Sequence, residues 1–289
     1  RDSKTPLTLL ILGILSVTMI GIVIWLAFPK SYGVFPLDDA YIHLVYISNL
    51  VETGTLSFNS GELSTGTSSP LWVVINAGLV ILGIPAYWAA LSISLFMFVV
   101  ILVLVTLISR QIGLSNNFGE PMSSLLGLLA SLLIAINGNI IWLSLSGMET
   151  MMFIALGLLT LLAYVYYRYK VLTGVLCGLL LLTHPSGIAL IATLVAISLI
   201  RGEWKILLRG LITTVIVITP YLLFSFLVNG DILPTTGRGK VLTYVASGFN
   251  ALEIWYFIKA FIRYQSFLPQ HYVLLVAIFI SAGLFLWVR

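Results

Sequence analysis

The chain has 289 residues, of which 60% are hydrophobic and only 8% are charged. Its mean hydropathy of +1.12 lies far above the range of soluble globular domains and excludes that class. The net charge is +4, but in so apolar a chain the positions of lysine and arginine matter more than their sum, and they do not indicate nucleic-acid binding.

Apolar runs long enough to cross a bilayer as helices recur along the chain and predict an all-α, polytopic membrane protein. We expect about eight transmembrane helices, at residues 7–28, 87–109, 121–142, 150–167, 171–183, 186–200, 206–228 and 271–288. The first run lacks a small-residue cleavage site, so it predicts a retained span rather than a signal peptide. The pair 171–183 and 186–200, broken by "THPSG", also fits helices that reach only mid-membrane.

No repeat or linker is visible, so residues 1–289 are interpreted as one integral membrane domain. The chain opens on Arg1 and stops inside an apolar run, as a truncated piece of a longer protein would. The lone cysteine, Cys177, permits neither an intrachain disulfide nor a metal site built on thiols.

The basic residues predict the orientation in the cell membrane. With the N-terminus in the cytoplasm, nine of the fourteen basic residues lie inside, namely Arg1, Lys4, Arg110, Arg168, Lys170, Arg201, Lys205, Arg209 and Arg289. Most acids then lie on the extracytoplasmic side. A crossing at 68–83 would reverse every later loop, so this segment is interpreted as an interfacial helix. Four tryptophans are expected at the interface: Trp25, Trp72, Trp88 and Trp142.

The segment "FPLDDAYIHLVYISNL", residues 35–50, places two acids beside the membrane. One interpretation is structural, with Asp38 as N-cap of a helix over 39–52 and Asp39 in its first turn. Helical spacing predicts a membrane face with Ala40, Leu44, Ile47 and Val51, and a face towards water or a cleft with Asp39, His43 and Tyr46. The other interpretation is functional, because ionisable residues at a membrane boundary are candidates for catalysis.

Four segments in this order carry a resemblance: "LDDAYIHLVYISNLVETGTLSFNSGELSTGTSSPLWVVINA", "SLSGMET", "LTHPSG" and "YLLFSFLVNGDILPTTGRGK". They resemble membrane glycosyltransferases of the GT-C superfamily, in the branch that includes the mycobacterial terminal arabinofuranosyltransferase. Members carry similar D-D-A-[FY]-I, G-[LM]-E-T, R-P-D-G and G-x-x-L-P-N-T-x-x-[AG]-K motifs. The resemblance implies transfer of a sugar from a polyprenyl-phosphate donor to a glycan, lipid or protein acceptor outside the cytoplasm.

The resemblance also implies roles for single residues. Asp38 or Asp39 would be the base that takes the proton of the attacking hydroxyl in an inverting transfer. The second carboxylate would orient the acceptor or, as in some relatives, bind a divalent cation. Lys240 matches the last motif and is the first candidate for binding phosphate, with Arg238 beside it. The alternative is a flexible glycine turn whose basic side chains reach lipid headgroups.

Three further segments have a structural and a functional interpretation. His184 stands where relatives have Arg, and either contacts a phosphate or sugar or satisfies carbonyls freed at a helix break. Glu149 either bonds sugar hydroxyls or Lys240, or complements a helix dipole. Asn59 and Thr67 either contact a substrate or belong to a plain loop.

His43 and Tyr41 complete the candidate site. His43 shares the predicted cleft face with Asp39, and Tyr41 either stacks on a sugar or isoprenoid or lies at the interface.

Two rival functions fit the same pattern. A transporter or flippase would also present outward acids and a broken helix pair, although no inverted repeat is visible. A non-catalytic GT-C-like subunit would fit the departure at "HPSG". The phosphate motif G-x-x-x-x-G-K-[ST] and the zinc motif H-E-x-x-H are missing from the sequence, so no nucleotide cofactor is expected.

Overall fold

A computed structural model describes residues 34–167, 170–232 and Thr235. Within these ranges the chain is helical and forms no strand beyond one isolated bridge, between Ser57 and Leu63. An all-α fold is therefore confirmed for this part of the chain.

Several predicted features lie outside the described residues, namely the spans at 7–28 and 271–288, Trp25, Arg238 and Lys240. All described residues belong to one compact unit. A single domain over 1–289 stays a prediction.

The helices follow one another with short connections. They are α1 (Asp38–Thr53), α2 (Pro70–Ile81), α3 (Ala86–Ser115), α4 (Glu120–Ala135), α5 (Gly138–Ser144), α6 (Thr150–Leu162), α7 (Lys170–Thr183), α8 (Ile188–Ile200) and α9 (Trp204–Asn229). A π-helical turn, Ala163–Tyr167, extends α6, and a 3₁₀ turn, Pro185–Gly187, joins α7 to α8. Glycine follows the ends of α1, α8 and α9 with a left-handed backbone conformation. Residues with a side chain are strained in this conformation.

Two of these helices, α3 with 30 residues and α9 with 26, are long and apolar enough to cross a membrane. The pair α4 and α5 reaches that length only together and is bent by 68°. Helices α2, α6, α7 and α8 are apolar but shorter. The described residues thus contain two or three candidate spans, which is compatible with a helical membrane protein, and the expected eight spans stay a prediction.

The segment predicted as an interfacial helix, 68–83, contains α2, whose 12 residues extend about 18 Å and are too short to span a bilayer. Its position at the interface stays a prediction. The helix packs against α1 and α3. The expectation of Trp72 at the membrane interface is wrong, because its side chain is fully buried in the cluster that contains Ala40 and Ala90. Trp88 and Trp142 are 44% and 45% exposed, which is compatible with an interfacial position.

Helix α1 differs from its predicted form in two respects. It begins at Asp38, so the N-cap is Leu37, and the expectation of Asp38 as the cap is wrong. Of the face predicted towards water or a cleft, Asp39 is exposed, whereas His43 and Tyr46 are buried together with Ala40 and Ile47 of the face predicted towards the membrane. The exposed side instead carries Tyr41, Ile42 and Val45. The reason is the packing of α2, whose Val73 and Ala77 form one buried cluster with Tyr46 and Ile47.

Close contact between α7 and α9 depends on small residues. A Cβ added at Gly178 would lie 2.6 Å from Val217 Cβ, and one at Gly174 would strike the Gly210 carbonyl. The Thr214 hydroxyl donates to the Gly174 carbonyl at 3.0 Å across this contact. This spacing of small residues is typical of helix pairs that pack in membranes.

Candidate functional site

The turn within "SGMET" packs against the start of α1. Gly147 has a φ of 74°, and a Cβ there would lie 2.6 Å from three carbons of the Phe35 ring. Glycine is required at this position both for the left-handed backbone and for the close approach. Two residues later, Glu149 meets His43 in the second turn of α1. The contacts join two of the resemblance motifs into one local structure.

His43 and Glu149 form a buried pair. Their Nε2 and Oε2 atoms are 3.2 Å apart, and each side chain is 5% exposed. Burial by itself raises the pKa of Glu149, but His43, the Glu149 backbone amide and the Ser69 hydroxyl together lower it by more, so the pKa lies below the ordinary value of 4.5. Glu149 is therefore ionised at neutral pH, although it is shielded from water.

Buried polar atoms without an aligned partner occur in this pair and on α2 and α3 or directly before α2, and both helices pack against α1. Six have no aligned hydrogen-bond partner among the described residues: His43 Nδ1, Ser69 Oγ, Trp72 Nε1, Asn76 Oδ1, Ser94 Oγ and Glu149 Oε2. Four of these residues lie one helical turn from members of a single core cluster, which contains Ala40, Trp72, Ala90 and Met152. Each unsatisfied atom costs about 1–3 kcal/mol. Such a concentration is a feature of functional sites rather than of ordinary cores.

Asp38 and Asp39 lie at the exposed end of α1, next to the buried pair. The Asp38 Oδ1 atom accepts a hydrogen bond from the Asp39 backbone N–H at 3.0 Å. The Asp39 carboxylate accepts none from the described residues. Asp39 precedes His43 by one helical turn, so the two project from the same side of α1. The Tyr41 hydroxyl accepts the Phe35 N–H at 3.0 Å and so fastens the chain that leads into α1.

His184 reaches the same end of α6 through one aromatic contact. Its ring lies edge-on to Phe153, at 5.8 Å between centroids, and the Phe153 N–H donates to the Glu149 carbonyl. The Nδ1 atom of His184 accepts the Ser186 N–H at 3.2 Å. The neutral ring therefore carries its proton on Nε2, which is left as a donor. The observed structural role is to cap the 3₁₀ turn, which differs from the structural alternative of satisfying free carbonyls. A contact with a phosphate or sugar stays a prediction.

Thr67 is buried in the loop that leads to α2. Its hydroxyl accepts the Ser69 N–H at 3.2 Å, and its carbonyl accepts a hydrogen bond from the Tyr221 hydroxyl of α9 at 3.4 Å. The side chain is 1% exposed, so in this conformation its observed role is to hold the loop in place. A substrate contact by Thr67 stays a prediction.

The neighbouring Thr65 joins the first loop to the start of the "LPTTGRGK" segment. Its hydroxyl accepts the Thr235 N–H at 3.1 Å and lies 3.0 Å from the Thr235 hydroxyl. Asn229, at the end of α9, donates to the same oxygen. Arg238 and Lys240 follow Thr235 in the sequence but lie outside the described residues.

Asn59 is not brought to the His43–Glu149 pair. Its loop is fastened by Asn49, whose side chain donates to the Ser57 and Phe58 carbonyls at 3.0 and 2.9 Å. Asn49 lies eleven residues after Asp38 on α1, which corresponds to about 16 Å. Asn59 itself donates to Glu62 at 3.1 Å and is exposed.

Sequence reasoning missed several residues of this region: Ser69, Trp72, Asn76, Ser94, Thr65 and Tyr221. Three of them, Asn76, Ser94 and Tyr221, are single polar residues within apolar helices, which is the signal that the sequence offered. Trp72 was named, but for the membrane interface. Asn76 and Ser94 interrupt such runs, and both are completely buried.

Among the described residues, no group of three or more His, Cys, Asp or Glu side chains could hold a metal ion. No family model, no curated protein and no solved structure matches this chain.

Proposed function

We propose that this chain is a multi-pass cell-membrane glycosyltransferase that moves a sugar from a polyprenyl phosphate to a glycan, lipid or protein acceptor. The observation that carries the proposal is the junction of two motifs: the acids at the start of α1 adjoin a His43–Glu149 pair that fixes the "SGMET" turn. Exposed carboxylates beside a rigid buried polar group are a suitable arrangement for proton abstraction at a membrane boundary.

Among the three carboxylates, Asp39 is best suited to act as the base. The pKa of Glu149 is lowered and its side chain is buried, so it accepts a proton poorly and cannot reach a substrate. Asp38 is engaged by the Asp39 backbone amide. Asp39 is exposed and accepts no hydrogen bond from the described residues. Asp38 then has the orienting role, and Glu149 positions His43.

The proposed reaction combines two events, namely removal of the proton from an acceptor hydroxyl and departure of the lipid phosphate from the sugar. An acceptor hydroxyl gives its proton to the Asp39 carboxylate while its oxygen forms a bond to the anomeric carbon. The bond from that carbon to the lipid phosphate oxygen breaks, and its electron pair leaves with the phosphate. The configuration at the anomeric carbon is inverted by this single displacement.

The departing phosphate carries negative charge and needs hydrogen-bond donors. The Nε2–H of His184 is one candidate donor from the described residues, because Nδ1 is already occupied by Ser186. Lys240 and Arg238 remain the proposed cationic ligands. The contact between Thr235 and Thr65 supports this assignment, because Thr235 belongs to the same "LPTTGRGK" segment as Arg238 and Lys240 and is hydrogen-bonded to the first loop. An extracytoplasmic position of the site belongs to the same proposal.

The test is sugar transfer by the full chain in proteoliposomes. Synthetic polyprenyl-phosphate arabinose, mannose and glucose are supplied in turn with a membrane-glycan extract, and release of polyprenyl phosphate is measured. Wild type is expected to release it from one donor, and Asp39→Asn to lose about 10²–10⁴-fold in rate. Glu52→Gln, an exposed acid on the same helix, is the matched control. Full activity in both Asp38→Asn and Asp39→Asn would refute the catalytic assignment.

A further inference from the structure

A cavity of about 50 Å³ lies between α7, α8 and α9, with Tyr164 of the π-helical turn in its wall. Tyr164 follows Glu149 by fifteen residues along the helix formed by α6 and this turn, which corresponds to about 22 Å. The cavity is therefore at the other end of α6 from the His43–Glu149 pair, and the proposed sugar transfer does not use it.

The interior of the cavity is mainly apolar. Its walls include Ile191, Leu194, Ile206 and Leu211. The Tyr164 hydroxyl lies 2.8 Å from Ser198 Oγ, and this hydrogen bond ties the π-helical turn to α8. Single π turns inside helices are often found at functional sites.

Two opposite charges line the cavity at the α8–α9 turn. Arg201 and Glu203 flank Gly202, whose φ is 67°. The Glu203 N–H donates to the Ser198 carbonyl at 2.9 Å, and the Gly202 N–H donates to the Leu199 carbonyl at 3.0 Å. This is a Schellman motif, which fixes the backbone of both charged residues. Among the described residues, neither Arg201 nor Glu203 forms an ion pair.

The surface beside these charges has the character of a membrane boundary. Trp204 follows Glu203 directly and is 65% exposed, while Ile200 and Leu208 are 86% and 60% exposed. Exposed tryptophan next to exposed aliphatic residues is typical of the headgroup level of a bilayer. A guanidinium and a carboxylate at that level match a ligand with one anionic and one cationic group.

The size of the cavity limits what enters it. Its volume of about 50 Å³ is several times the roughly 10–15 Å³ that one water molecule needs, but far below that of a whole lipid. A lipid would therefore place only a small part of itself in the cavity, with the rest along the apolar surface beside the opening.

We propose that this cavity binds a zwitterionic phospholipid with a primary ammonium group. The phosphate contacts Arg201, the ammonium donates to Glu203, and the glycerol region enters the cavity. A quaternary ammonium cannot donate this hydrogen bond, and an anionic lipid without an amine leaves Glu203 unpaired beside its phosphate. The site thus distinguishes phosphatidylethanolamine from phosphatidylcholine and phosphatidylglycerol.

The experiment measures lipid binding to the full-length chain purified in detergent, with dioleoyl forms of these three lipids counted as bound adducts by native mass spectrometry. Wild type is expected to bind phosphatidylethanolamine about fivefold more tightly than the other two. Glu203→Gln should remove this preference, and Arg201→Gln should weaken all three lipids. Lys205→Gln, a basic residue of the same turn region that does not line the cavity, should leave the preference unchanged.

A cavity-filling variant gives a second measurement. Leu194→Trp should reduce phosphatidylethanolamine binding while the charges at the opening remain, with gel filtration and thermal unfolding as checks of folding. The proposal is overturned if wild type binds phosphatidylglycerol as tightly as phosphatidylethanolamine, or if Glu203→Gln keeps the wild-type preference. The readout is binding alone, so it does not depend on sugar transfer.

Discussion

His43 of α1 lies 3.2 Å from Glu149, measured from Nε2 to Oε2, and both side chains are shielded from solvent. A buried pair of this kind adds little stability compared with well-packed apolar side chains, but loss of one partner leaves the other polar group buried alone. Its main consequence is geometric, because it fixes the "SGMET" turn against the helix that begins at Asp38 and Asp39.

Removal of Glu149 should therefore destabilise the protein strongly. We expect Glu149→Ala to lower the free energy of unfolding by about 3–5 kcal/mol, because His43 is then left buried without its partner. Glu52→Ala, at an exposed position of α1, should change it by less than about 0.5 kcal/mol. Thermal unfolding of both variants in the same detergent provides the comparison. His43→Ala should then be added to each variant. The change in unfolding free energy of the double variant should differ from the sum of the two single changes for Glu149→Ala but not for Glu52→Ala. Additive changes in both cases would mean that His43 and Glu149 do not interact.

The pH dependence of stability follows from the lowered pKa of Glu149. A carboxyl whose pKa is lower in the folded state contributes stability that is fully present above its unfolded pKa of 4.5, and this contribution is lost as the pH falls through the folded value. The melting temperature of wild type should thus exceed that of Glu149→Gln at neutral pH, and the difference should shrink below about pH 4.5. A difference that stays constant through this range would contradict the assigned shift.

The helical class and most helix positions were predictable because continuous apolar runs and their breaks at glycine and proline are local signals. Helix α3, Ala86–Ser115, agrees with the predicted span at 87–109, and α9, Trp204–Asn229, agrees with 206–228. The 68° bend between α4 and α5 was not predicted, since Asn137 and Gly138 in an apolar run do not by themselves specify an angle.

The candidate site was predictable only in part. The sequence indicated Asp39, His43 and Glu149 one by one, but their burial depends on how α2 and the "SGMET" turn pack on α1, which is a tertiary effect. Trp72 could not be assigned from the sequence for the same reason. An aromatic residue near the start of a helix is typical of both a membrane interface and a protein core, and the structure shows Trp72 buried in the core.

Thr65 provides a test of the link between the loop that precedes α2 and the segment that follows α9. In Thr65→Val the Thr235 N–H and the Asn229 side chain lose their shared acceptor. We expect KM for the polyprenyl-phosphate donor to rise several-fold with kcat nearly unchanged, because the segment that carries Lys240 is held less firmly while Asp39 is untouched. Thr193→Val, which removes a hydroxyl bonded only to its own helix, is the control. A fall in kcat without a change in KM would argue against this role.

The packing of α7 on α9 predicts opposite effects for two glycine-to-alanine changes. At Gly178 the new methyl group would lie 2.6 Å from Val217 Cβ, so the helices must separate, and we expect a loss of about 1–3 kcal/mol. At Gly78, on α2, nothing lies within 4 Å of the added Cβ, and alanine should stabilise by about 0.5–1 kcal/mol because the unfolded chain has less freedom. Thermal unfolding of the two variants in one detergent distinguishes them. Equal shifts of the melting temperature for both variants would show that α7 and α9 are not in the close contact described, because that contact is the reason for expecting different effects.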